Sequence, residues 1–177
     1  MRTLGRRPFH FFVALVAIQG VHMFEHVVQL VQVFGLGVSE DQALGLLGYV
    51  FQLQGTEEWL HIGFNGALLL CLYLLLPRIW SARDTEPGMR LGASVFAAGV
   101  ALETWHFAEH AVIISHVIAR GGCPCPGIGD SALGVSDTVL HFFYNAVVYA
   151  CMLVAFRCVL RSRGHGASTM RAGAAAA

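Results

Sequence analysis

The sequence contains no lysine, and only 12% of its 177 residues are charged. Its 11 arginines balance 11 acidic residues, so the formal net charge is zero with histidine neutral. A chain without excess positive charge has little with which to neutralise a phosphate backbone, and we expect no nucleic-acid partner. The hydrophobic fraction is 56% and the mean hydropathy is +0.63, which is too apolar for an ordinary soluble domain. Composition therefore predicts an integral membrane protein whose main partner is the lipid bilayer.

Four apolar stretches are long enough to cross a bilayer as helices, which takes about 20 residues each. They cover residues 8–34, 59–80, 91–118 and 138–160. Ten of the 11 arginines lie before the first stretch, around the second connection or at the end of the fourth; only Arg120 lies elsewhere. The positive-inside rule then places both termini in the cytoplasm of a cell-membrane protein and the first and third connections outside.

The two outer connections have different compositions. Ser39 and Gln42 have capping-box spacing, and the apolar run over residues 43–53 is too short to span, so we expect a short amphipathic helix at the outer surface. The second outer connection contains Cys123 and Cys125, which are too close for an unstrained disulfide and are candidates for a soft-metal relay. At the other end, residues 164–177 are predicted to form a disordered cytoplasmic tail after a transmembrane domain over residues 1–163.

A polar pattern recurs in all four predicted spans. Residues 22–26 and 106–110 both read H-x-x-E-H, and residues 57–65 and 137–145 both read [ED]-x-x-x-H-x-x-x-N. The first pair is separated by a constant offset of 84 and the second pair by 80. The sequence therefore predicts an all-α four-transmembrane-helix bundle built from a duplicated helical hairpin. The repeats cover about residues 8–80 and 90–160, with a pseudo-twofold axis along the membrane normal.

The repeated polar residues predict a metal site near the extracytoplasmic face. Residues four apart share a helix face, and the histidines and asparagines of all four spans lie roughly 5–16 Å below the outer surface. Ionisable groups cost roughly 2.5–3.5 kcal/mol each at the centre of a membrane, and bound metal would offset that cost. We expect two ions, with Glu25 and Glu109 as catalytic groups that handle protons. The predicted metal ligands are His22, His26, His61, Asn65, His106, His110, His141 and Asn145.

The ligand chemistry favours Fe or Cu, with Zn as an alternative, because the site is rich in imidazole and lacks thiolate. In its H-x-x-x-H spacing, as at His22 and His26, the sequence is similar to integral-membrane fatty-acid desaturases and hydroxylases, although their adjacent histidine pairs are absent. Asp137 and His141 resemble the D-x-x-x-H motif in the copper subunit of particulate methane and ammonia monooxygenases. These features favour a metal-dependent oxidoreductase acting on an apolar or lipid substrate.

Several alternatives fit the same residues. The cluster also suits a zinc-dependent membrane hydrolase, a b-type haem protein, or a non-catalytic protein that binds and stores metal. The small size and the lack of an electron-donor domain favour a subunit of a larger membrane complex, with a partner or electron donor supplied from outside. Asn65 and Asn145 are either ligands or residues that orient the histidines.

Overall fold

The computed structural model describes residues 4–52, 57–120 and 127–175, without the side chains of Glu57 and of residues 166–175. Every regular element in these residues is helical. Each half of the chain contains a long helix, a short helix and a second long helix, in that order. The α-helices are α1 (Arg6–Leu30), α2 (Gly45–Val50), α3 (Glu57–Ser81), α4 (Met89–Arg120), α5 (Ile128–Leu133) and α6 (Asp137–Ala175).

The connection between α1 and α2 differs in detail from the sequence prediction. One π-helical segment, Val31–Gly35, extends α1, and a 3₁₀ turn, Glu40–Gln42, follows. The Ser39 side chain makes no capping hydrogen bond, so the predicted capping box is absent. The short helix α2 covers only part of the predicted 43–53 run, and its first residue, Gly45, has a φ of +71° that a residue with a Cβ rarely adopts.

Small residues bring α4 and α6 close together. A Cβ added to Gly92 would lie 2.6 Å from the Cβ of Cys158, and one added to Gly99 would lie 2.8 Å from the Cβ of Cys151. Helix α4 also packs along α3, and α1 packs along α6, whereas α1 meets α3 at fewer positions. Most of the packing between the long helices therefore involves α4 or α6.

An apolar core fills the half of the molecule away from the histidines. Phe12 of α1 is fully buried and contacts Phe96 and Phe156 edge-on, with ring centroids 5.5 Å apart in both pairs. At this end the Arg163 guanidinium donates to the Leu4 carbonyl at 2.6 Å. The described N-terminal residues therefore lie beside the cytoplasmic end predicted for the fourth span.

Within the described part of the chain, three helical segments are long and apolar enough to cross a membrane: Arg6–Gly35, Glu58–Ser81 and Asp137–His165. They expose large apolar side chains, including Phe24, Leu70 and Phe143, as lipid-facing helices do. Helix α4 is longer than α1 and α3, but its polar stripe over residues 103–110 lowers its apolarity. Three of the four predicted spans thus have the length and apolarity that a membrane span needs, while the fourth span and the duplicated bundle remain predictions.

The last helix continues past the predicted end of its span. Its backbone is helical to Ala175, whereas the sequence places the end of the fourth span near residue 160. The predicted disordered tail over residues 164–177 therefore coincides with helical backbone up to residue 175, and its disorder remains a prediction.

Candidate metal centre

The six histidines of the predicted layer form one continuous cluster. Four long helices contribute to it: α1 supplies two rings, α3 one, α4 two and α6 one. Neighbouring ring centroids lie between 4.5 Å, for His110 and His141, and 6.4 Å, for His61 and His141. The cluster consists of His22, His26, His61, His106, His110 and His141. Residues that are distant in the sequence thus share one buried polar site.

Three of these histidines form the most compact group. His106 and His110 lie one turn apart on α4, and His141 approaches them from α6. The three rings each offer a nitrogen, and these nitrogens lie within 4.8 Å of one another. The Nε2 atoms of His106 and His110 are 3.2 Å apart. All three side chains are buried, so a bound ion would be shielded from water.

Each ring of this group has a carboxylate beside its Nδ1 atom. Glu103 lies 3.3 Å from Nδ1 of His106, and Glu58 lies 3.2 Å from Nδ1 of His110. Nδ1 of His141 donates to the backbone carbonyl of Asp137 at 2.9 Å, and the Asp137 carboxylate lies beside it at the same distance. A carboxylate that accepts the Nδ1 proton fixes the tautomer and leaves Nε2 with its lone pair. The arrangement is typical of histidines that bind a metal through Nε2.

The short Nε2 contact supports a shared cation. If Glu103 and Glu58 hold the Nδ1 protons, the two Nε2 atoms of His106 and His110 face each other with lone pairs and no proton between them. Nitrogens about 2.0–2.1 Å from a tetrahedral ion lie roughly 3.3–3.4 Å from each other. The observed 3.2 Å is close to that separation. A cation bound by both Nε2 atoms would remove the repulsion between their lone pairs.

A second possible ligand group shares one histidine with the first. Glu58, His61 and His110 offer ligand atoms that lie within 4.8 Å of one another. The rings of His61 and His110 stack, with centroids 5.3 Å apart and an interplanar angle of 23°. Helices α3 and α4 therefore build a mixed imidazole and carboxylate group next to the group of three histidines.

The two histidines of α1 have a different environment. Their Nε2 atoms are 3.3 Å apart, and the Asn145 side-chain nitrogen lies 3.0 Å from Nε2 of His26. Gln19 donates to the Asn145 oxygen at 2.9 Å. The polar side chains described next to this pair are thus amides and not carboxylates. They provide Nε2 of His26 with a hydrogen-bond donor from within the protein. The pair consists of His22 and His26.

Several buried polar atoms of the cluster have no hydrogen-bond partner among the described residues. They include Nδ1 of His26, Nδ1 of His61, Nε2 of His141 and both amide atoms of Asn65. Buried polar atoms are normally paired, because an unmet donor or acceptor costs about 1–3 kcal/mol. Because several such unpaired atoms lie within one cluster, they support the presence of a bound ligand there. Asn65 is fully buried one turn from His61, while Asn145 binds protein groups as described.

Glu25 and Glu109, predicted to be catalytic, contact the connections that the sequence places outside. Glu25 accepts the N–H groups of Leu46 and Leu47 at 2.7 and 3.0 Å, in the first turn of α2. Glu109 accepts the N–H groups of Ile128 and Gly129 at 2.6 and 2.8 Å, in the first turn of α5. Each glutamate therefore ties an outer segment to the helix that carries a histidine pair.

Glycine makes these two contacts possible. A Cβ added to Gly45 would lie 2.6 Å from Oε2 of Glu25, and one added to Gly127 would lie 2.6 Å from Oε2 of Glu109. Any larger residue would push the backbone away from the carboxylate. The same combination of glutamate, glycine and short helix occurs in both halves of the chain.

Sequence reasoning missed the partners of the ring nitrogens. Glu58, Glu103, Asp137 and Gln19 are absent from the site residues that the sequence predicts. The signal for Gln19 was present, because the offset of 84 that relates the H-x-x-E-H motifs also relates Gln19 to Glu103. The pairing of Glu58 with His110 joins two helices and is visible only in the tertiary structure.

Two histidines outside the pattern lie elsewhere on their helices. His10 is exposed near the start of α1, and Nδ1 of His165 donates to the Arg161 carbonyl of its own helix at 2.8 Å. Cys123 and Cys125, the candidates for a soft-metal relay, lie outside the described residues.

The fold and site define a class: a helical, membrane-type protein with a buried histidine cluster able to hold metal. Comparisons of the chain with protein-family models, curated proteins and solved structures find no match. The functional argument therefore depends on the geometry of the cluster.

Proposed function

We propose that this chain is a membrane-embedded metalloprotein with two transition-metal ions in its histidine cluster. The observation that carries the proposal is the orientation of three rings. Nδ1 of His106, His110 and His141 each faces a carboxylate, which leaves three Nε2 atoms for one ion. A second candidate ligand group in the same cluster provides for the second ion. Fe or Cu suits this imidazole-rich set, and Zn is the alternative.

Charge balance supports a cation at this position. Glu103 is fully buried, with Oε2 3.3 Å from Nδ1 of His106 and Oε1 without a hydrogen-bond partner among the described residues. A buried carboxylate is costly without positive charge nearby. A divalent ion on the adjacent imidazoles would provide that charge, and Glu103 in turn would hold the His106 ring in its binding orientation.

Metal content tests the proposal directly. We expect purified wild-type protein in detergent to contain transition metal by elemental analysis, and the double variant His106→Ala, His110→Ala to lose the ion held by these rings. His10→Ala is the matched control, because it removes an exposed histidine from the same kind of helix. Equal metal content in all three proteins, or none in the wild type after reconstitution with Fe, Cu and Zn, would overturn the proposal.

Within this class, we favour an oxidoreductase that acts on an apolar or lipid substrate. Bound Fe or Cu supplies redox chemistry that protein side chains lack. The chain excludes water from the site through the burial of His106 and His110. Access from the membrane would lie between α1 and α3, the pair of long helices with fewer contacts, where the stacked rings of His22 and Phe64 would have to move apart.

Oxygen consumption distinguishes this activity from its alternatives. With a reductant and a lipid substrate present, an oxidoreductase loaded with Fe or Cu consumes oxygen, whereas a zinc hydrolase or a storage protein does not. The predicted catalytic roles of Glu25 and Glu109 belong to this proposal; their observed contacts support positioning of the outer segments. A partner that donates electrons would co-purify on a native gel.

One alternative has specific structural support. The most buried histidines, His106 and His110, are almost inaccessible and the tethered outer segments lie above them, which suits a protein that retains metal without turnover. Haem is less well supported, because neighbouring rings only 4.5–6.4 Å apart leave little space for a macrocycle. A Soret band in the purified protein would reverse that preference.

The proposed membrane arrangement has four spans, a duplicated hairpin and an extracytoplasmic site. The repeated order of long, short and long helices supports duplication, as do the matching contacts of Glu25 and Glu109. The contact between Arg163 and Leu4 supports both termini on one side. The arginine distribution favours the cytoplasm for that side.

A further inference from the structure

The two candidate ligand groups meet at one ring. His110 belongs both to the group with His106 and His141 and to the group with Glu58 and His61. Its two nitrogens face different neighbours: Nε2 lies 3.2 Å from Nε2 of His106, and Nδ1 lies 3.2 Å from Oε2 of Glu58. No other residue occurs in both groups found among the described residues.

We propose that His110 bridges the two metal ions as an imidazolate. One ion is bound through Nε2 of His110 with His106 and His141, and the other through Nδ1 of His110 with Glu58 and His61. This inference rests on the proposed function, which requires metal in the cluster but not a bridge. It assigns the second ion to α3 and α4 and not to the histidine pair of α1.

The protonation chemistry is balanced by Glu58. A neutral imidazole has one ring proton, so binding at both nitrogens requires the Nδ1–H bond of His110 to break and an Nδ1–metal bond to form. The Glu58 carboxylate is the base in contact with this proton. Its side chain is 25% exposed, so the proton can continue to solvent as the carboxylate becomes a ligand.

The α1 pair is a weaker position for the second ion. Asn145 lies 3.0 Å from Nε2 of His26 and can donate a hydrogen bond to it, whereas the group beside Nδ1 of His110 is the Glu58 carboxylate. The Nδ1 atoms of both His26 and His61 are buried without a partner among the described residues, but only His61 stacks on His110 and shares a candidate ligand group with it. The geometry therefore favours the α3 side of His110 for the second ion.

Copper substitution tests the bridge. We expect wild-type protein loaded with Cu(II) to hold two ions per chain by elemental analysis and to show an electron paramagnetic resonance intensity well below that expected for its copper content, because an imidazolate couples the two spins. His141→Ala and His61→Ala each remove one ion's ligand without removing the bridge residue. Each is expected to retain one copper with full spin intensity.

The outcomes separate this inference from the proposed function. Two coppers with full spin intensity in the wild type would overturn the bridge and leave the metalloprotein proposal intact. A single copper per chain, or loss of the second copper in the double variant His22→Ala, His26→Ala but not in His61→Ala, would also overturn it. Protein that binds no copper would overturn the bridge, and protein that binds none of Cu, Fe and Zn would overturn both proposals. The copper content and spin intensity of the wild-type protein test the bridge even if a variant fails to fold.

Discussion

The carboxylate of Glu109 accepts the backbone N–H of Ile128 at 2.6 Å, which fixes the start of α5 above the α4 histidine pair. Glu25 makes the matching contact with Leu46 at 2.7 Å over the α1 pair. In each case the glutamate sits within the H-x-x-E-H motif, so one short motif supplies both the rings and the group that secures the segment above them.

Replacement of Glu109 by glutamine should loosen this outer segment. The amide retains one acceptor oxygen but turns its nitrogen toward a backbone N–H, and loss of a charge-assisted hydrogen bond costs about 1.5–3 kcal/mol of unfolding free energy. We expect Glu109→Gln to keep its metal but to release it faster to a chelator, measured by stopped-flow absorbance.

Glu40→Gln is the control for this experiment, because Glu40 is exposed in the 3₁₀ turn. Its release rate should equal that of the wild type. Complete loss of metal in Glu109→Gln, with normal thermal stability, would instead identify Glu109 as a metal ligand.

The close packing of α4 on α6 makes Gly99 intolerant of a methyl group. A Cβ at this position would lie 2.8 Å from the Cβ of Cys151, so Gly99→Ala must push the helices apart. Overpacking of this kind costs about 1–3 kcal/mol. We expect a lower melting temperature for Gly99→Ala, measured by circular dichroism in detergent.

Gly63 provides a matched comparison within a helix. No atom lies within 4 Å of a Cβ added there, so Gly63→Ala should be neutral or stabilising by about 0.5–1 kcal/mol through helix propensity. If both variants melt at the wild-type temperature, α4 and α6 are not packed as closely as described.

The proposed orientation in the membrane predicts a difference in labelling. Ser39 and Thr85 are both exposed, the first in the connection placed outside and the second in the connection placed in the cytoplasm. In a background with Cys123→Ser and Cys125→Ser, Ser39→Cys should react with a membrane-impermeant maleimide in intact cells. Thr85→Cys should react only after permeabilisation. The opposite pattern would invert the topology.

The sequence predicted the apolar helices and the faces on which the histidines lie. Both depend on local geometry: residues four apart, such as His106 and His110, share a face in any helix that contains them. Three spans follow from apolar length alone. The fourth was predicted from the same rule, but the polar stripe that makes α4 informative also lowers its apolarity.

Only the tertiary structure decided which groups meet. The partner of His110 is Glu58, 52 positions earlier in the chain, and no periodicity relates them. Glu25 and Glu109 share a motif with the histidines, yet their side chains reach the backbone of an outer segment, since Gly45 and Gly127 leave space for that approach. The helical repeat determines in which direction each side chain points from its own helix axis. Which side chains of two helices touch depends on the distance and register between those helices, and packing alone sets both.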